Sequence, residues 1–81
     1  METNYKKAVE SHIAQRLEEL TSPVNFAYGY MTYHGAEERL TELHILAMKI
    51  GLYELAKKIG DSRRTIREKI EDGYRRGNFH I

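Results

Sequence analysis

The sequence predicts a small, mainly helical domain of about four helices, and two observations carry this prediction. Apolar residues recur at intervals of three and four in segments 4–20 and 36–50 and within each of two short stretches of 53–72, which is the spacing of a helix face. The chain has 81 residues, 41% of them apolar and 31% charged, which is typical of one globular domain and not of a disordered chain. We therefore expect a single domain over residues 1–81, with a thin core that dimerisation would enlarge.

The first predicted helix covers residues 4–20. Val9, Ile13 and Leu20 fall at helical spacing and form one narrow apolar face. Pro23 cannot continue a helix and is expected to end this one. Such a face must be buried against the rest of the domain or against a second subunit.

The segment 24–34 has a different pattern. Val24, Phe26 and Tyr28 alternate with other residues, which is typical of a strand, and the aromatic content agrees. An aromatic loop laid over the helical core explains the same composition equally well. The sequence leaves open whether a short β element exists around residues 24–33.

A support helix is predicted over residues 36–50. Leu40 and Ala47 lie on its apolar side, and Gly51 follows at the position of a C-cap. The chain then ends in a basic, aromatic tail at residues 73–81. This tail is expected to contact phosphate, to form a short β element or to contact a second subunit.

Residues 53–72 read as two short helices joined by a tight turn. Ala56 is small, so a second helix can cross close above it, and Gly60 stands where the turn would need a positive φ. Ile66 and Ile70 are four residues apart and can both point back onto the first helix. This spacing predicts a helix-turn-helix unit.

The run SRRTIREKI at residues 62–70 completes the pattern, with Ser62 as the predicted N-cap. Together with Ala56 and Gly60, it resembles the bacterial helix-turn-helix DNA-binding family, and within that family the Fis-type recognition helix. The resemblance implies a small bacterial or phage transcriptional regulator. Such a protein would bind double-stranded DNA sequence-specifically, as a homodimer, with this helix in the major groove.

The resemblance also assigns residues to the DNA. Arg63, Arg64 and Arg67 would reach base edges or phosphates, because the arginine fork can pair with both acceptors of guanine. Ser62 and Thr65 would bond backbone phosphates near the helix N-terminus. Flanking phosphate contacts are expected from Lys57, Lys58, Arg75 and Arg76.

Charge is distributed unevenly along the chain. Residues 1–50 have five basic and seven acidic residues, whereas residues 51–81 have eight basic and five acidic, net +3. The excess at the predicted motif favours phosphate binding. The overall charge of only +1 keeps an alternative open, namely a protein-interaction module, such as an inhibitor or anti-repressor, built on the same scaffold.

No residue pattern supports an enzyme, a metal site or a cofactor. The chain lacks cysteine, and His12, His34, His44 and His80 are too dispersed to form a ligand motif. There is no phosphate-binding glycine loop and no evident small-molecule site. Without a targeting segment or a run of transmembrane length, the expected location is the cytoplasm.

Overall fold

The computed structural model describes residues 2–29 and 31–77, and the described part of the chain is mainly helical. In order, the helices are α1 (Glu2–Thr21), α2 (Pro23–Ala27), α3 (Tyr33–Ile50) and α4 (Tyr53–Arg75). The prediction of a small, mainly α domain is confirmed. Tyr30 and residues 78–81, which belong to the predicted aromatic segment and tail, lie outside the described residues.

Helices α3 and α4 pack against each other more extensively than any other pair of helices, and together they form a helical hairpin. Gly51 ends α3 with φ +87°, as its predicted capping role requires, and its N–H bonds the carbonyl of Met48 at 3.2 Å. The Leu52 N–H bonds the Ala47 carbonyl at 2.9 Å. Because only two residues separate the helices, α3 and α4 must run antiparallel.

The predicted turn at Gly60 is wrong, because α4 is one continuous helix of 23 residues. Ser62, predicted to be an N-cap, lies inside it, and Gly60 does not have a positive φ. The physical reason is that the apolar residues keep the same helical spacing before and after Gly60. Buried positions recur at alternating intervals of four and three on both sides of Gly60, so a straight helix buries both halves on one side. These positions are Leu52, Ala56, Ile59, Ile66, Ile70 and Gly73, with Arg63 at the one polar step.

Gly60 instead permits close packing between the two helices of the hairpin. A Cβ atom placed on Gly60 would lie 3.4 Å from Cε1 of His44 on α3. On α3 itself, Ala36, Leu40 and Ala47 are buried at intervals of four and seven. The ring of His44 therefore lies against Gly60 in the contact between α3 and α4.

Helix α1 lies against the hairpin and closes the core. Its Ile13 and Leu20 are fully buried, and Val9 and Leu17 pack beside them. Nζ of Lys6 lies 3.9 Å from the position that a Cβ of Gly51 would occupy. The N-terminal part of α1 is thus beside the α3–α4 turn, and its C-terminal end is at the opposite end of the hairpin.

The segment between α1 and α3 contains a short helix, and no strand occurs in residues 2–29 or 31–77. Proline at the first position favours α2. Asn25 folds the segment back, since its side-chain nitrogen donates to the Glu19 carbonyl at 2.7 Å and its own carbonyl accepts from Met31. The alternation of Val24, Phe26 and Tyr28 therefore reflects one packed ring, Phe26, between exposed neighbours.

Two glycine substitutions test the continuity of α4. Gly60→Ala should raise the free energy of unfolding by about 0.5–1 kcal/mol, because alanine favours a helix interior and a 3.4 Å contact is ordinary packing. Gly51→Ala should lower it by about 1–2 kcal/mol, because alanine is strained at φ +87°. Urea unfolding followed by circular dichroism measures both. Equal destabilisation by the two substitutions would contradict a continuous α4.

Candidate functional site

The nine residues predicted to contact DNA do not form one surface. In a continuous helix, residues 62–67 are spread around almost two turns, so their side chains point in different directions. Arg63 lies in the buried stripe, Arg67 reaches α3, and Ser62 and Thr65 face α2. The exposed remainder comprises Lys57, Lys58, Arg64, Arg75 and Arg76.

Arg63 occupies a packing position, where the sequence predicted a base contact. It follows Ile59 by four residues and precedes Ile66 by three, so it continues the stripe that faces the core. The residue is half-buried, and its Nε atom is buried without a hydrogen-bond partner. Its placement therefore costs free energy in the isolated chain.

Arg67 is engaged within the molecule. Its Nε and one terminal nitrogen both donate to Oε1 of Glu37, at 3.1 Å and 2.8 Å. The side chain of Glu37 is 23% exposed and that of Arg67 is 58% exposed, so solvent weakens the pair. This ion pair connects the N-terminal half of α3 to the C-terminal half of α4.

A second contact, nearer the open end of the hairpin, joins a histidine of α3 to a tyrosine of α4. Nε2 of His34 lies 2.9 Å from the hydroxyl of Tyr74, and their rings are 5.8 Å apart. Tyr74 of α4 therefore contacts α3. These contacts fix the register of the hairpin at its open end.

The outward surface of α4 carries both signs of charge. Lys57, Lys58, Arg64 and Arg75 form no ion pair with any described residue, whereas Arg76 pairs with Asp72 at 3.2 Å. Acidic residues are interleaved with these cations along the helix. They are Glu54, Asp61, Glu68, Glu71 and Asp72.

A cleft of about 660 Å³ lies between α2 and α4, and we call it the α2–α4 cleft. One wall is aromatic: the rings of Phe26 and Tyr33 stack with centroids 4.6 Å apart. Ile66 and Met31 add aliphatic surface. The remaining lining residues are Thr21, Pro23, Ala27, Gly29, Thr32, Ser62, Thr65 and Lys69.

The polar groups of the α2–α4 cleft are hydroxyls and a single ammonium group. Lys69 is the one residue of its described lining that is charged at neutral pH, and its Nζ lies 5.9 Å from the centroid of Tyr33. Thr65 donates its hydroxyl proton to the carbonyl of Asp61 at 3.2 Å. The Ser62 hydroxyl forms no hydrogen bond among the described residues. The cleft therefore combines an apolar wall with a cation at its rim.

Sequence reasoning missed this cleft because it divided α4 at Gly60. Ser62, Thr65 and Lys69 are three and four residues apart, which indicates one helix face once α4 is continuous. Nothing in the sequence, however, indicates that α2 lies opposite that face. Only the fold places Phe26 and Tyr33 there.

A second candidate surface is the exposed part of α3. Ile45, Leu46 and Met48 are 50%, 43% and 46% exposed, although they lie in the middle of a well-packed helix. Ile45 and Met48 are three residues apart and share a side of α3. Leu46 points toward α1 and lines a shallow depression with Arg16. Three large apolar side chains thus reach solvent within four residues.

Two further features were sought among the described residues, a metal-binding group and a membrane-spanning helix. Within residues 2–29 and 31–77, no group of three His, Asp or Glu side chains is arranged to hold a metal ion. None of the described helices is long and apolar enough to cross a membrane.

Comparison with known proteins adds no family. No protein-family model matches the chain, and no significant match is found among curated proteins or among solved structures.

The position of Arg63 predicts an effect on stability. Arg63→Met should raise the free energy of unfolding by about 1 kcal/mol, because methionine fills the stripe without an unpartnered polar atom. Arg64→Met, the neighbouring exposed substitution, should change it by less than about 0.5 kcal/mol. Chemical denaturation of both variants measures the difference. Destabilisation by Arg63→Met beyond that of Arg64→Met would contradict this packing role.

Proposed function

We propose that the chain is a non-enzymatic protein-interaction module, which uses the exposed apolar side chains of α3 to bind another protein subunit. The observation that carries the proposal is the solvent exposure of Ile45 and Met48, which share one side of α3. Such side chains, clustered on a small domain, are typical of a surface that a partner covers. A second copy of the chain is the simplest partner, and it would enlarge the core of an 81-residue domain.

The construction of the hairpin supports this role. α3 is held on α4 by buried small residues and by the Glu37–Arg67 ion pair, so its exposed side is presented on a rigid support. A surface that is ordered before binding loses less conformational entropy on association. The absence of cysteine supports a cytoplasmic, reducing location for this module.

Sedimentation velocity tests the self-association form of the proposal. The native protein should sediment as a dimer at high concentration, and the Ile45→Lys/Met48→Lys variant should remain monomeric, because two cations cannot be buried unpaired. Ser11→Lys/Gln15→Lys adds two lysines at exposed positions of α1 and should leave the dimer intact. For other partners, the same three proteins serve as baits in affinity capture. Loss of association in both variants, or in neither, would contradict the proposed surface.

Binding to double-stranded DNA is the second candidate function, and the charge distribution favours it. Residues 51–81 carry net +3, and the exposed cations Lys57, Lys58, Arg64 and Arg75 have no ion-pair partner among the described residues. If the chain binds DNA, the uninterrupted helix α4, and not a helix-turn-helix, would lie against the duplex. The interleaved acidic residues favour weak binding that depends strongly on salt.

Fluorescence anisotropy with a labelled duplex at two salt concentrations tests DNA binding. Lys57→Ala/Arg64→Ala should weaken binding and reduce the slope of log affinity against log salt by about two, because two phosphate contacts are lost. Lys7→Ala/Lys49→Ala removes the same charge from α1 and α3 and should have a smaller effect. Equal weakening by both pairs would indicate only general attraction by net charge. No binding at low salt would exclude this function.

A further inference from the structure

We propose that the α2–α4 cleft is a binding site for a small amphipathic carboxylate, a molecule with an apolar body and one carboxylate group. This site is separate from the exposed residues of α3, since neither Ile45 nor Met48 lines the cleft. It is also separate from the cations on the outward surface of α4.

The size and lining of the cleft fit a small molecule. Its volume of about 660 Å³ lies within the range of ligand-binding clefts, which are mostly apolar with a few placed polar groups. The Phe26–Tyr33 stack and Ile66 provide a wall against which a hydrocarbon body can be buried. These three residues also pack in the core, so the wall is ordered without a ligand.

The charge of the cleft selects an anion. Lys69 is the only lining residue among those described that is charged at neutral pH, and no acidic residue lines the cleft beside it. Its ammonium group is positioned over the Tyr33 ring, at the edge of the apolar wall. A carboxylate at Lys69 would therefore place the body of the same molecule over the aromatic pair. A cationic ligand would meet repulsion there.

The hydroxyl groups of α4 that line the cleft indicate how a bound carboxylate would be oriented. Ser62 lies seven residues before Lys69, two helical turns or about 10 Å along the axis. Thr65 lies between them, and its hydroxyl donates its proton to the Asp61 carbonyl. The Thr65 oxygen can therefore only accept a hydrogen bond from a ligand. Lys69 is consequently the strongest donor for a carboxylate, and the apolar body extends from it toward Ser62.

Isothermal titration calorimetry with hexanoate, octanoate and decanoate, all below their micelle-forming concentrations, tests the proposal. Affinity should rise about two- to fourfold per added methylene, as expected when the chain is buried. Decanoate should bind more tightly than decanol, and decylammonium should bind least. Equal affinity for decanoate, decanol and decylammonium, or no binding of decanoate at millimolar concentration, would overturn the proposal.

Two variants locate the bound molecule. Lys69→Met should lower the affinity for decanoate about three- to fivefold and leave that for decanol unchanged, whereas Lys58→Met removes a cation outside the cleft and should change neither. Ala27→Trp places a large ring from an exposed cleft position into the space and should abolish binding. Circular dichroism checks that each variant is folded. Decanoate binding that survives Ala27→Trp would show that the molecule binds elsewhere, and would overturn the proposal.

Discussion

Packing between the stripe of α4 and the facing side of α3 is the constraint on which the rest of the structure depends. The stripe keeps one phase from Leu52 to Gly73, so α4 can be buried along its whole length only as a straight helix. A turn at Gly60 would rotate the second half of the stripe away from α3. Burial of the isoleucines in both halves therefore outweighs the cost of about 1 kcal/mol for glycine inside a helix.

Continuity of α4 determines where every candidate functional residue points. Arg63 enters the packed stripe, Arg67 is bound by Glu37, and Arg64 is left in solvent. Arg63, Arg64 and Arg67, which lie within five residues of one another, thus have three different roles. The same continuity aligns Ser62 and Lys69 on the side of α4 that faces α2, which produces the cleft.

The two proposed binding sites differ in how their apolar side chains are arranged. In the α2–α4 cleft, aromatic and aliphatic groups pack against each other and leave a concave space with one cation. On α3, Ile45 and Met48 project from the convex helix surface and are about half exposed among the described residues. A concave space suits a small molecule, whereas a convex apolar surface is buried efficiently only by another protein.

The sequence by itself determined the helical class, the approximate extents of α1 and α3, and the cap at Gly51, because each depends on local spacing or on one backbone angle. It could not determine the course of the chain at Gly60, since a glycine suits both a turn and a close helix contact. His44, whose ring lies beside Gly60, is sixteen residues away along the chain. The α2–α4 cleft likewise arises from segments distant in sequence. Only tertiary packing brings the Phe26–Tyr33 pair opposite Lys69.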